Sequence, residues 1–535
     1  METLKVKLFK GYIIEDSLIY RDQEAINKLE HYLQSNSVES LFTYLNGSFR
    51  YVIEAEKLIY FGIDHFGGYP LFYSLEPTLE IITNPRELAS LSDINDNNLC
   101  SLLASGFSYG ETTIYNKIKE CLPGITYIYH KIDNTLSRHE WFSIDYRNQK
   151  KQSKEEFADL LKSLIPTNFP QTHLALTGGI DSRHLLALFK KRGTKINAFT
   201  YGTPENNDIR IAKEVASQAQ IAYTQYNFAN LNMEEYFSGS ALDEFFTAGF
   251  LGRSLPFESD WVVSNLLKGS ALWVTNGYTC FWLRSPDQDE FPIPQRADLV
   301  PRILLSHCQQ TLISSKKFRD VLTANIEESM THYAQDYDDS DFDRWNVENR
   351  QHKYIINSCN NFRHSEIEVL LPLFDRRFAT FVNETNRDQK YNQKMYMETI
   401  ISDIFTGKEA YLKNIPATSS NYNNCFRGVK PTLHSWKDKL HKLDKYNLNR
   451  VVRIPNNHLY GILQAVLLQS PGFLSLKIED AFPNIRSTIA TLHDLGLNNS
   501  ANHLTWLKKK RVVQLNLLGI EIIGFLVENF ALINS

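Results

Sequence analysis

Short apolar runs separated by turn-forming residues punctuate the first 150 positions: Tyr12-Ile13-Ile14, Phe49 to Ile53, Leu58 to Phe61, Leu71-Phe72-Tyr73, Leu79 to Thr83 and Thr126 to Tyr129. Runs of this length, bounded by Gly, Pro, Asn and Asp, predict β-strands. The polar stretch from Asn148 to Lys154 then reads as a linker. Beyond it the pattern changes. His173 to Leu176 and Ile196 to Thr200 are extended, while Ser182 to Lys190 and Asp208 to Gln218 have helical periodicity. Strand and helix in alternation predict a parallel sheet with helices on its faces. From about Ile303 the pattern is mostly helical, including Lys353 to Ser358 and Tyr396 to Phe405, with no internal repeat or low-complexity tract. The pattern marks a strand-rich unit, 1–150, and an α/β unit from 151.

Length and composition add bounds. At 535 residues and 43% apolar content, the chain supports two or three packed domains. A net charge of -4 leaves no broad basic surface, so nucleic acid is not the expected partner. Six cysteines lie singly, without a CxxC pair or a histidine at metal-ligand spacing, and read as buried thiols in a reducing compartment. The first residues contain no apolar stretch of signal-peptide length, which points to the cytoplasm. Lys508-Lys509-Lys510-Arg511 precedes an apolar run from Val512 to Ile533, but Gln514, Asn516, Glu521, Glu528 and Asn529 interrupt it. A spanning helix needs about 20 nearly uncharged residues, so a docked terminal helix is expected here and no membrane contact.

The loop expected to carry chemistry is Leu176-Thr177-Gly178-Gly179-Ile180-Asp181-Ser182, which joins the first strand of the α/β unit to its helix. In an open α/β sheet, ligands lie beyond the carboxyl ends of the strands. Two glycines let backbone amides approach phosphate oxygens, and the helix start adds its positive end. Asp181 is placed to take a magnesium ion shared with those phosphates, and Thr177 and Ser182 offer hydroxyls. The plain alternative is a turn with Asp181 as a helix-capping residue. Arg183 is either a phosphate or carboxylate ligand or a solvated helix position.

This loop resembles the serine-glycine-glycine-x-aspartate-serine loop of the asparagine synthetase superfamily, with Thr177 in place of the first serine. Phe199-Thr200-Tyr201-Gly202 stands where that family ends its second strand against adenine, and Asp208 to Ala216 is similar to the helix that follows. Glu368-Val369-Leu370-Leu371-Pro372-Leu373-Phe374-Asp375 matches the family's E-x-R-x-P-F-x-D in its Glu, Pro and Asp, with Leu370 in place of arginine. The amino-terminal unit is similar to the family's glutaminase half through Leu45 to Phe49, Ile63 to Tyr73, Gly106-Phe107 and Leu122-Pro123-Gly124. The likeness extends from about residue 40 to 420, so the α/β unit spans 151–420, and 421–535 reads as its helical continuation, with no function read from it.

The resemblance implies an α+β Ntn-hydrolase-like (glutaminase-like) domain, then an α/β PP-loop synthetase domain with a largely helical carboxyl-terminal part. It implies ATP and Mg2+ as cofactors. ATP would lie against Leu176, Thr177, Gly178, Gly179, Asp181, Ser182, Phe199, Thr200, Gly202 and Gly277, with Asp181 as metal ligand. Glu368 would be the general base or its partner, or else an ion-pair partner of Arg363 or Arg376. A lysine should stabilise the leaving pyrophosphate, and Lys408 and Lys413 both fall in the right region. Tyr333, Tyr337 and Tyr354 are weaker candidates for the tyrosine that ring-closing members place beside the glutamate.

The chain also departs from the family. Active members expose a cysteine after the initiator methionine, whereas position 2 is Glu2, no cysteine occurs before Cys100, and Ile63 replaces an arginine. Glutamine is therefore not expected to supply the amine. After Leu272 to Thr275 the family carries a second acidic motif, but Asn276 to Arg284 contains no carboxylate, leaving Asp287 or Asp289 as substitutes. The expected function is an AMP-forming amide ligase that adenylates a small-molecule or peptide carboxylate, as in the glutaminase-silent branches that close β-lactams or lasso peptides, with a precursor-peptide-processing partner as one setting. Two alternatives are a non-catalytic or partner-dependent nucleotide- or peptide-binding relative and an ammonia-dependent asparagine synthetase.

Overall fold

The computed structural model describes residues 4–416, apart from 43–44, 90–92, 203–205, 233, 238, 280–295, 309–315, 334–338 and 391–392. The continuation 421–535, the run from Val512 to Ile533, Tyr337, Asp287 and Asp289 lie outside the described residues. Among the described residues, no helix is long and apolar enough to cross a membrane.

The amino-terminal unit is built on a six-stranded antiparallel sheet, β2-β1-β3-β4-β8-β9. Its members are β1 (Lys5–Glu15), β2 (Leu18–Arg21), β3 (Asn46–Glu54), β4 (Leu58–Ile63), β8 (Ile125–His130) and β9 (Thr135–Glu140). A small second sheet holds β5 (Phe72–Ser74), β6 (Glu80–Ile82) and β7 (Lys119–Glu120). On β3, Phe49, Tyr51 and Ile53 alternate onto one face and pack in a core shared with Ala25, Leu29 and Leu33 of the helix Asp22–Leu33. Asp64 closes the turn after β4, accepting bonds from the amides of Phe49, Phe66, Gly67 and Gly68. The D-x-x-G motif thus has a structural cause here: one buried carboxylate satisfies four buried donors.

The second unit carries a five-stranded parallel sheet in the order β12-β11-β10-β13-β14. These strands are β10 (Gln171–Ala175), β11 (Lys195–Gly202), β12 (Ala222–Asn227), β13 (Trp273–Thr275) and β14 (Glu368–Leu370). From β10 the chain winds outward through β11 and β12, then returns to the other side of β10 for β13 and β14. The direction of winding reverses between β10 and β13, which opens a crevice above their carboxyl ends. Later elements are mostly helical, and two of them, Asn346–Ile355 and Ile400–Ile404, are wound as π-helix. π-helical turns often mark functional positions.

The two units pack closely. The stretch read as a linker is anchored, since Lys150 exchanges backbone bonds with Glu384 and Asn386 and Gln152 pairs with Gln389. Glu120 of β7 is fully buried among Arg253, His352 and Lys353 of the second unit. His352 Nδ1 also meets the Phe66 carbonyl at 3.0 Å, and its ring lies so close to Gly67 that a Cβ there would fall 2.2 Å away.

Candidate nucleotide site

The loop follows the strand at the reversal point. Leu176 still donates its amide to the Phe199 carbonyl (2.9 Å), and the helix Ile180–Arg192 begins four residues later. Its N-cap, Gly179, is extended and contributes no side-chain bond. Internal bonds shape the turn instead. The Thr177 amide donates to Ser182 Oγ (3.1 Å), the Gly179 amide donates to Thr177 Oγ1 (3.1 Å), and the two hydroxyls lie 3.2 Å apart. Thr177 and Ser182 therefore use their hydroxyls to build the loop. The first-turn amides of any helix lack intrahelical acceptors, and here they face the crevice end of the sheet.

Arg183 matches neither expectation for it. It is fully buried and clamps the loop from behind, donating to the carbonyls of Gly178 (2.9 Å), Ile415 (2.6 Å) and Pro416 (2.6 Å). A guanidinium suits this role because its forked donors reach several carbonyls at once. The same clamp brings the segment around residue 415 to the loop. Lys413, half-buried and two residues before Ile415, lies near it, whereas Lys408 is exposed at the start of the 3-10 helix Gly407–Lys413.

Asp181 is half-buried and accepts a bond from Tyr396 Oη (2.7 Å). Burial raises its carboxyl from 3.8 to about 6, against the opposing pull of that bond. Tyr396 Oη is in turn 3.3 Å from Nδ1 of His184, whose burial lowers it to about 3, so this imidazole is neutral at pH 7. A row His184, Tyr396, Asp181 thus orients the carboxylate from the protein side. A second carboxylate, Asp208 at the start of the helix Asn207–Ala219, accepts the Gly178 amide at 3.0 Å. Sequence reasoning missed both partners; Tyr396 lies 215 positions from Asp181, and no local pattern signals so remote a contact.

The other side of the crevice is the chain leaving β13. Gly277 abuts the loop, since a Cβ there would lie 3.2 Å from the Ser182 amide nitrogen and 3.5 Å from Asp181 Cβ. Next to it, Tyr278 Oη donates to Asp260 Oδ2 (2.9 Å), and Tyr201 Oη of β11 donates to Asp260 Oδ1 (3.0 Å). Of the stretch expected against adenine, Phe199 is buried in the core and the Thr200 hydroxyl is committed to the Leu176 carbonyl. Tyr201 and Gly202 are the residues at the strand's carboxyl end.

The structure does not bring Glu368 to this loop. In the sheet Glu368 pairs with Trp273, one step before the level shared by Val274 and His173, so it stands level with Thr172. Leu176 is four residues further along, roughly 13 Å at the rise of a strand. Glu368 instead meets Arg363 Nε (3.2 Å) and Tyr69 Oη, and the Arg363 guanidinium lies 3.7 Å from the Tyr69 ring centre. It joins the two units. Tyr333 donates to Glu348 (2.8 Å), and Tyr354 packs on Phe257 with ring centres 4.6 Å apart, so neither accompanies Glu368.

Residues 171–253 match the family model described as asparagine synthase. That segment spans β10, the loop, β11, the Asp208 helix and β12. No curated protein matches the chain. Two solved structures are similar to it at low scores. The allosteric regulatory enzyme of purine biosynthesis shares 9% identity over 42% of this chain and 69% of its own, with a TM-score of 0.21. Glutamine phosphoribosylpyrophosphate amidotransferase from B. subtilis, complexed with ADP and GMP, shares 12% over 52% and 56%, with a TM-score of 0.18. Both scores are too low to establish a common fold.

Proposed function

We propose that the chain is an ATP-dependent, AMP-forming amide ligase that couples a small-molecule or peptide carboxylate to an amine not drawn from glutamine. The observation that carries this reading is Asp181 at the mouth of a glycine loop over the winding reversal, within the segment that matches the asparagine synthase model. The residues present fit phosphates and magnesium, with a particular balance. Asp181 supplies one carboxylate, and among the described residues no three His, Cys, Asp or Glu side chains converge as a metal site. A magnesium ion held there would complete its shell with phosphate and water oxygens, as this ion commonly does. Bound Mg2+ would neutralise charge on the phosphates; the chain's own residues hold and orient them through loop and helix amides. Of the two candidate lysines, Lys413 stands two residues before Ile415, which the Arg183 clamp ties to the loop, and this favours it over Lys408 as the partner of the leaving pyrophosphate. The setting is cytoplasmic, where ATP is abundant, and a precursor-peptide-processing partner would suit a peptide substrate.

A second reading, a nucleotide binder without turnover, has one observation in its favour: Asp208 occupies the Gly178 amide, a donor that a phosphate oxygen would otherwise use. Pyrophosphate release from ATP, measured with purified protein across a panel of candidate carboxylates, separates the two. The ligase reading predicts release with at least one of them and at least a hundredfold loss in Asp181→Ala. ATP that binds without ever being cleaved supports the binder; neither binding nor cleavage contradicts both.

A further inference from the structure

Beyond Tyr278, which bonds Asp260, lies a pair of acidic residues that the nucleotide loop does not use. Glu258 and Asp260 open the helix Glu258–Leu267, whose N-cap, Phe257, makes no side-chain bond. They are 6% and 2% exposed. Asp260 is held by Tyr201 from β11 and by Tyr278 from the segment after β13, so this helix start sits at the carboxyl end of the sheet, on the same side as Asp181. A continuous line of contact runs from Asp181 to Gly277, Tyr278, Asp260 and the first turn of the helix.

Both carboxyl oxygens of Glu258 lack a hydrogen-bond partner among the described residues. A carboxyl taken out of water without a partner costs several kcal/mol, and such groups cluster where a ligand supplies the missing partner. Burial raises Glu258 to about 8, partly opposed by its own backbone amide, and neighbouring Asp260 adds to the rise. The rings of Phe257 and Tyr354, their centres 4.6 Å apart, lie beside this helix start, and Glu258 is near enough to Tyr354 to help raise its hydroxyl. What satisfies such a pair is a cation that brings its own donors. A protonated amine meets that need with N–H donors of its own, beside the aromatic rings of Phe257 and Tyr354.

We propose that Glu258, backed by Asp260, forms the subsite for the primary ammonium group of the amine substrate. The assignment of that amine as a substrate rests on the ligase reading; the binding itself does not. An alkylammonium suits the site because its three N–H donors match a buried carboxylate and its chain suits the neighbouring aromatic rings. Glu258→Gln keeps size and shape while removing an unpaired acid, so the variant should fold at least as well as the parent.

The test is calorimetric titration of the full chain with n-butylammonium, with 1-butanol as the uncharged control. Wild type should bind butylammonium saturably, with at least tenfold weaker binding in Glu258→Gln and no saturable binding of butanol. Absence of butylammonium binding in wild type, equal binding by the folded variant, or equal binding of butanol would overturn the proposal. A parallel titration with Mg-ATP reports on the ligase reading separately: a protein that takes the amine but not the nucleotide keeps the subsite and loses the ligase.

Discussion

Asp181 has to remain ionisable while half-buried, and among the described residues Tyr396 offsets the cost with a hydrogen bond. The sign of the consequence follows from its raised pKa. Below 3.8 the group is protonated whether the chain is folded or not, and it costs nothing. Between 3.8 and about 6 an unfavourable contribution grows, and it is complete above that. Asp181→Asn should therefore raise the unfolding temperature of the nucleotide-free protein at pH 8, by a margin that shrinks as the pH is lowered to 5. A lower unfolding temperature at pH 8 would show that the carboxylate is better paired than the geometry indicates. Function kept at a cost in stability is common at binding sites. At this scale the sequence displayed the loop itself, since two glycines and an Asp stand between a strand and a helix, and the likeness to the family loop distinguished it from a plain turn. It could not display Tyr396, Asp208 or the Arg183 clamp, which depend on contacts between distant segments.

The strand Glu368–Leu370 shows how an element changes what a motif does. Read along the chain, Glu368 opens a segment resembling the family's base-bearing motif. Placed in the sheet, its strand runs parallel to β13, which leaves Glu368 at the amino end, tied to Arg363 and Tyr69. Glu368→Gln should lower stability by about 2 kcal/mol, the cost of weakening a buried, charge-assisted pair, and leave Mg-ATP affinity within twofold. Urea unfolding alongside nucleotide titration checks both, and a large loss of affinity with unchanged stability would restore the role in chemistry. The strands and helices with clear apolar periods were legible, as in Phe49 to Ile53 and Asp208 to Gln218, found in β3 and Asn207–Ala219, whereas helices such as Asp22–Leu33 and Glu258–Leu267 were not singled out. β9 was missed because its pattern is mostly exposed: Thr135–Glu140 pairs at the sheet edge and buries little. The π-helical winding of Asn346–Ile355 has no marker in a helical periodicity.

At the scale of the described residues, the two units pack across a junction that is apolar where Phe107 and Tyr109 meet Trp345 and polar around Glu120. Glu120, Arg253, His352 and Lys353 are buried together. Burial acts to raise Glu120, yet Arg253, Lys353 and His352 together hold it well below the usual carboxylate range, while burial lowers the Lys353 ammonium to about 8. Glu120→Gln would leave two buried cations facing each other, at a cost of about 3–5 kcal/mol. The expected readout is a clear fall in the urea midpoint; an unchanged midpoint would mean that the junction does not depend on this carboxylate. The division at residue 150 was readable as a polar stretch, but its anchoring to residues 384–389 was not, because backbone pairing between distant segments leaves no trace in composition.

Central to the proposed function is binding of ATP by the loop from Thr177 to Ser182 through magnesium held by Asp181. Calorimetric titration of the full chain with ATP, with and without Mg2+, tests it directly. The prediction is saturable binding that requires Mg2+ and falls at least tenfold in Asp181→Ala, with that variant still folded. Absence of binding by the wild type, or equal binding by wild type and variant, would contradict it.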